Sequence, residues 1–169
     1  MHRSELLLRK IDQSALFRRS HFPAVISVAA NRQGCQMHER DVELFNDSLE
    51  RCSCRPDFLR RFYTLFLASS ATVAKKFEHT DLGTQARMLQ TSLYIMMSAS
   101  YESERTVHLE RLAKLHSRAG ADIKPELYDL WLDRLVQAVK EFDPMFDPET
   151  DTAWRRVLQP GIEFMKSRY

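Results

Sequence analysis

One histidine lies where the surrounding pattern predicts the apolar face of a helix. Four residues share that face, because they are spaced i, i+3, i+4 and i+7. They are Leu109, Leu112, Ala113 and His116. An imidazole in such a place needs a partner, either a metal ion or a backbone carbonyl that satisfies one ring nitrogen. A lone core histidine more often has the carbonyl, so residues elsewhere in the chain have to decide.

Two polar side chains upstream could donate hydrogen bonds to a small ligand. Tyr63 carries a phenolic hydroxyl inside an aromatic segment at 62–66, and Gln85 carries an amide near the start of a later apolar stripe. Each also has a structural interpretation. Tyr63 could be a core aromatic whose hydroxyl bonds a carbonyl, and Gln85 could be a solvated helix position.

Six apolar stripes at helical spacing predict the elements that position these side chains. They cover residues 42–52, 58–66 with an extension towards 77, 82–96, 109–116, 127–142 and 154–165. Helices with one apolar face must pack on one another, which predicts an all-α fold. Periodicity alone does not separate a helical bundle from a globin.

Prolines are expected to set several helix boundaries. Pro56 is predicted to open the second helix and Pro125 the fifth, since proline is favoured in a first turn. Two Asp-Pro pairs, at 143–144 and 147–148, predict a stiff connection before a last helix that begins near residue 151. At Pro160-Gly161 we expect a kink or break, because a proline in a helix interior costs about 3 kcal/mol.

Composition bounds the class of protein. The chain has 169 residues, 44% hydrophobic and 28% charged, as is ordinary for a globular domain. A net charge of +2 gives no electrostatic case for nucleic acid or a membrane surface. We expect an N-terminal extension at 1–38, partly irregular, and one compact domain at 39–169.

The cysteines and the apolar runs bear on location. Cys35, Cys52 and Cys54 are odd in number, which favours a reducing compartment over a disulfide framework. No apolar run reaches the roughly 20 residues that span a bilayer. We therefore expect a cytoplasmic protein. Residues 22–30 are loosely similar to the apolar part of a signal peptide, which leaves processing near Ala30 as the alternative.

The segments around Tyr63 and Gln85 resemble the distal side of bacterial single-domain globins and of the haem domain of flavohaemoglobins. Residues 62–66 and the following corner are similar to that family's second helix, and Phe77 matches the phenylalanine that wedges the haem, fourteen residues after Tyr63. Gly83-Thr84-Gln85 with Leu89 resembles the distal glutamine and leucine. The resemblance covers about residues 40–169.

The proximal side of the same family resembles the segment around His116. A Gly-containing corner follows His116, and then Lys124-Pro125-Glu126-Leu127-Tyr128 resembles the start of the next helix. The family carries a glutamate late in its last helix that bonds the proximal histidine. Counting from the matching Trp154, that position is Tyr169, so the resemblance predicts no carboxylate partner for His116 there.

The resemblance implies a globin fold of six to eight helices around a pocket for haem b, with His116 as the proximal iron ligand. It implies that the haem contacts Tyr63, Phe77, Gln85, Leu89, Leu112, His116 and Tyr128. Tyr63 and Gln85 would hold oxygen through hydrogen bonds of about 1.5–3 kcal/mol, which slows its release roughly 10- to 100-fold.

Three functions follow as hypotheses. The first is reversible binding of a diatomic gas (oxygen, nitric oxide or carbon monoxide) for storage, delivery or sensing. The second is nitric oxide dioxygenation to nitrate, which would need a separate reductase because no part of the sequence resembles a flavin or nicotinamide module. The third is a globin-fold signalling module without haem, in which residue 116 has no special role. The oligomeric state stays open.

Overall fold

The computed structural model describes residues 39–98 and 107–169. Seven helices run through this part of the chain, and it contains no strand. They are α1 (Glu39–Ser53), α2 (Phe58–Ala68), α3 (Ala71–Lys76), α4 (Leu82–Ser98), α5 (Val107–His116), α6 (Glu126–Phe142) and α7 (Pro148–Ser167). The predicted all-α class is confirmed. The expectation of a partly irregular extension at 1–38 falls outside the described residues.

Each predicted stripe forms a helix, but the segment after the second stripe forms a helix of its own. The chain turns at Ser69 and starts α3 at Ala71. The hydroxyl of Ser70 accepts a hydrogen bond from the backbone N–H of Thr72 at 3.2 Å, which satisfies one of the free donors at a helix start. This cap explains why the stripe that fades through residues 69–72 becomes two helices.

Two helix starts differ from the sequence prediction. Pro56 lies in the turn before α2, which begins two residues later at Phe58. The last helix begins at Pro148, three residues before the expected start. Asp147 caps it by accepting hydrogen bonds from the backbone N–H of Thr150 at 2.7 Å and from its hydroxyl at 2.8 Å. The second Asp-Pro pair is therefore a cap and first turn, not part of a connection.

Of the kink or break expected at Pro160, the break was wrong, since α7 is helical from Pro148 to Ser167. Buried side chains flank the proline on both sides, with Leu158 and Ile162 at 0% exposure. Gly161 lies against α4, where an added Cβ would sit 3.0 Å from the Cβ of Met96. Packing of this face against the core offsets the local cost of the proline.

The terminal helices enclose the core and hold α4 and α5 in place. Helix α7 packs against α1 and α4, and α2 packs against α6. Trp154 is fully buried, donates a hydrogen bond from Nε1 to the hydroxyl of Ser48 at 2.9 Å, and lies 4.5 Å from the ring of Phe45. Arg51 of α1 bonds both carboxylate oxygens of Asp143, at 2.6 and 2.8 Å. These contacts fix α1 against α7 and the end of α6.

The described residues can be searched for membrane-spanning helices, reactive thiols and metal-binding groups. None of these helices is long and apolar enough to cross a membrane. Cys52 is buried, and burial raises the pKa of its thiol to about 12, while Cys54 is exposed. Residues 39–98 and 107–169 contain no group of three or more His, Cys, Asp or Glu side chains that could hold a metal ion.

Candidate functional site

His116 ends α5 with one ring nitrogen bonded to its own helix. Its Nδ1 lies 2.9 Å from the carbonyl oxygen of Leu112, one turn earlier. Because a carbonyl only accepts, Nδ1 carries the proton, and the lone pair of the neutral ring is on Nε2. Among the described residues, no hydrogen-bond partner occupies Nε2. This is the state in which an imidazole can act as a metal ligand, with its orientation fixed by the second nitrogen.

The surroundings of His116 favour its neutral form. Burial lowers the pKa of its imidazole below the ordinary value, and the hydrogen bond to Leu112 opposes this shift only in part. The residue is half-buried, and its ring lies 6.4 Å from that of buried Tyr128 on α6. At neutral pH the lone pair of His116 is therefore available.

The corner after His116 closes the end of α5 with backbone hydrogen bonds. The N–H of Ala121 bonds the carbonyl of Leu115 at 2.8 Å, and the N–H of Ile123 bonds that of His116 at 2.9 Å. Gly120 is required here, since a Cβ would lie 2.3 Å from the oxygen of Leu115. Gly120 is the residue from which this corner was predicted. The hydrogen bonds of the corner fix the backbone at His116.

Two further side chains hold this corner, and neither contact was predicted from the sequence. The ammonium of Lys76, from the end of α3, donates to the carbonyl of Ala121 at 3.1 Å and lies 3.7 Å from the carboxylate of Asp122. The hydroxyl of Tyr169 donates to the same carboxylate at 2.8 Å. Asp122 has a φ of 52°, a left-handed conformation in which aspartate is enriched. The preference of aspartate for this conformation was the one local feature of the sequence that could have indicated a turn at residue 122.

Tyr63 lies on α2, inside the core. It was predicted to lie on the distal side of the site. Its side chain is 3% exposed and lies 4.9 Å from the ring of Phe62 and 5.9 Å from that of Phe77. Its hydroxyl donates to the backbone carbonyl of Gln85 at 3.3 Å. This distance exceeds the usual 2.7–2.8 Å for such a bond, so the interaction is weak. Burial raises the pKa of the phenol above its ordinary value, which keeps it protonated as a donor.

The remaining predicted site residues lie on or next to helices α3, α4 and α5. Leu89 is buried on α4, and Phe77 and Leu112 are half-buried and pack on the core. Gln85 is half-buried, and its side-chain amide makes no hydrogen bond within the part of the chain that the structure describes. Helix α4, which carries Gln85, contacts α5, which carries His116.

The predicted residues thus form two contact groups. Tyr63, Phe77 and the backbone of Gln85 are brought together on the side of α2 and α4. Leu112, His116 and Tyr128 are brought together on the side of α5 and α6. The first group contains the phenol of Tyr63, which is bonded to the carbonyl of Gln85, and the second contains a neutral imidazole with its Nε2 lone pair available.

Comparisons with known proteins identify a solved structure that is similar over most of the chain. It is a protein from Pseudomonas aeruginosa whose crystal structure is highly homologous to a human haemoglobin. The two chains share 40% sequence identity with a TM-score of 0.70, over 76% of this chain and 98% of the other. No protein-family profile and no curated protein matches the chain.

Proposed function

This chain belongs to the bacterial single-domain globins, and on that basis we propose that it binds haem b with His116 as the proximal iron ligand and takes up oxygen reversibly. One observation carries the proposal. His116 presents a neutral imidazole whose Nδ1 is held by the carbonyl of Leu112, leaving Nε2 for the metal. This ring fits the cofactor that the family implies. The same carbonyl bond would satisfy a core histidine without a metal, so membership of the family is what favours the iron ligand.

Haem iron, when bound, supplies the site at which a diatomic gas is held. The chain's own part is to orient the proximal imidazole, to exclude water and to donate hydrogen bonds to the gas. Leu89 and Phe77, which pack in the core, would supply apolar walls. Tyr63 and Gln85 would supply the donors, and for this the phenol would have to leave its weak bond to the carbonyl of Gln85. A donor to a partly charged acceptor contributes about 1.5–3 kcal/mol.

The partner of His116 favours reversible binding over oxidative chemistry. A carboxylate on the second ring nitrogen would make the imidazole more basic, whereas the carbonyl of Leu112 is neutral. Tyr169, which stands where the resemblance places a glutamate, bonds Asp122 instead. Nitric oxide dioxygenation with a separate reductase is therefore the second candidate, to be decided by turnover. The cytoplasmic location expected from the cysteines belongs to this proposal as well.

The proposal is tested by reconstituting the full chain with haem and recording spectra of the reduced, oxygenated and carbonmonoxy forms. We expect one haem per chain, a Soret band, and an oxygenated form that returns to the reduced form when oxygen is removed. His116→Ala should lose haem affinity, whereas His108→Ala, an exposed histidine on the same helix, should keep it. No Soret band after reconstitution would leave the haem-free signalling module in its place.

Stopped-flow mixing of the oxygenated protein with nitric oxide separates the two haem functions. A single stoichiometric oxidation, with no re-reduction by cell extract, supports storage, delivery or sensing. Repeated turnover in the presence of extract would support the dioxygenase.

A further inference from the structure

A cavity of about 470 Å³ lies where the end of α1, helix α2 and the first half of α4 meet. Its volume falls within the roughly 300–1,000 Å³ of small-molecule sites. Of the residues proposed to contact haem, Tyr63 alone lines it, so the cavity adjoins the proposed haem site at that residue and is otherwise lined by different side chains. Its lining is mostly apolar, from Leu49, Phe58, Leu59, Leu67 and Leu93.

All charged side chains that line the cavity are positive. Arg55, Arg60 and Arg87 line the cavity, and no aspartate or glutamate does. The chain as a whole carries 25 basic and 23 acidic residues, so this is a local excess. Three guanidinium groups beside an apolar cavity complement a ligand that has an apolar body and an anionic head.

Two of these guanidinium groups form no ion pair among the described residues. Arg60 is paired with a carboxylate of its own turn, an exposed pair of little energetic weight. Arg87 donates to the hydroxyl of Thr84 at 2.9 Å and is close enough to Asp81 to lower the pKa of that carboxyl. Arg55 forms no ion pair within residues 39–98 and 107–169. Arg55 is therefore free to bind an anion, and Arg87 can add a second donor.

We propose that this cavity binds a small amphiphilic carboxylate, with its apolar body on the leucines and its carboxylate on Arg55 and Arg87. Guanidinium groups match a planar carboxylate through paired hydrogen bonds. The cavity is partly open to solvent, which lets a carboxylate stay at the exposed arginines while an apolar chain lies on the leucines. Thr64 and Gln90 add the few polar groups that such sites use.

The test is calorimetric titration of the full chain with decanoate, decan-1-ol and decylamine, each below the concentration at which it aggregates. We expect saturable binding of decanoate, at least about tenfold weaker binding of the alcohol, and none of the amine. Equal binding of acid and alcohol, or no saturable binding of decanoate, would overturn the proposal. The readout needs no haem, so it stands or fails independently of the proposed function.

Variants locate the site. Arg55→Gln and Arg87→Gln, both at exposed positions, should each weaken decanoate binding about five- to tenfold. Arg40→Gln, an exposed arginine of α1 paired with Glu149, is the matched control and should bind as wild type does. Ala86→Trp should fill the cavity and abolish binding. Binding that survives Ala86→Trp, or that ignores both arginine variants, would place the ligand elsewhere and refute the proposal.

Discussion

The hydroxyl of Tyr169 donates a hydrogen bond to Oδ1 of Asp122 at 2.8 Å, and so ties the residues after α7 to the corner that follows His116. The guanidinium of Arg118 lies 5.1 Å over the tyrosine ring, and Lys76 lies on the other side of the carboxylate. The corner that follows His116 is thus held by side chains from two other segments, the end of α3 and the residues after α7.

Tyr169→Phe should loosen this corner. We expect faster amide hydrogen exchange at residues 117–123 and a rise in the pKa of Asp122, because the hydrogen bond from Tyr169 is the largest effect that lowers it. Exchange mass spectrometry and carboxylate titration by NMR measure the two. Tyr94→Phe, at an exposed tyrosine on α4, is the control. Unchanged exchange at the corner in Tyr169→Phe would show that the bond does not hold it.

Tyr63→Phe should speed oxygen release from the haem-loaded protein roughly 10- to 100-fold, because it removes a buried donor worth about 1.5–3 kcal/mol. Carbon monoxide release should change much less, since that ligand is less polarised. Flash photolysis and stopped-flow replacement measure both rates, with Tyr94→Phe as the control. Equal oxygen release in wild type and Tyr63→Phe would mean that the phenol keeps its bond to the carbonyl of Gln85.

Arg51→Met should destabilise the protein by about 3 kcal/mol at neutral pH, because it leaves the fully buried carboxylate of Asp143 unpaired. Burial alone would raise the pKa of Asp143, and hydrogen bonds led by that of Arg51 more than offset this, so the pKa lies below its ordinary value. In the wild type this stabilisation is lost as pH falls through the lowered pKa. The difference in unfolding free energy between Arg51→Met and the wild type should therefore be smaller at acidic pH.

Urea unfolding at neutral and acidic pH measures this difference. Arg61→Met removes a comparable pair with Glu141 at the surface and should cost much less. If the two variants lose equal stability, burial of the Arg51 pair has no energetic consequence and the argument is wrong.

The pH dependence of the haem-free protein should report His116. Burial lowers the pKa of its imidazole in the folded state, so between that pKa and the unfolded value of about 6.5 the unfolded chain binds a proton that the folded chain does not. The free energy of unfolding therefore falls as pH drops below about 6.5, by at most about 1.4 kcal/mol per pH unit.

Urea unfolding across this pH range should show a shallower slope in His116→Leu than in wild type, while His108→Gln keeps the wild-type slope. Parallel slopes in His116→Leu and wild type would show that the imidazole does not titrate differently on folding.

The parts of the fold that could be predicted from sequence are those with a local, repeated signal. The stripe of Leu109, Ala113 and His116 recurs at helical spacing, and the structure has a helix there. The aromatic segment around Tyr63 likewise forms one buried helix face. Gly120 marked the corner because few other residues fit a close backbone approach.

The parts that could not be predicted depend on residues far apart in the chain. Arg51 and Asp143 are 92 residues apart, and Asp122 and Tyr169 are 47 apart. A single charged or polar pair leaves no periodic pattern in the sequence from which it could be predicted. Pro160 misled for a related reason, since its local propensity against helix was outweighed by tertiary packing of α7.

The central claim, that His116 Nε2 holds the haem, is tested most directly by His116→Gly with and without free imidazole. The removed side chain leaves room for imidazole to take its place. We predict that the variant shows a weakened and shifted Soret band in its reduced carbonmonoxy form, and that millimolar imidazole restores the wild-type spectrum. A variant that binds haem with the wild-type spectrum in the absence of imidazole would contradict the assignment.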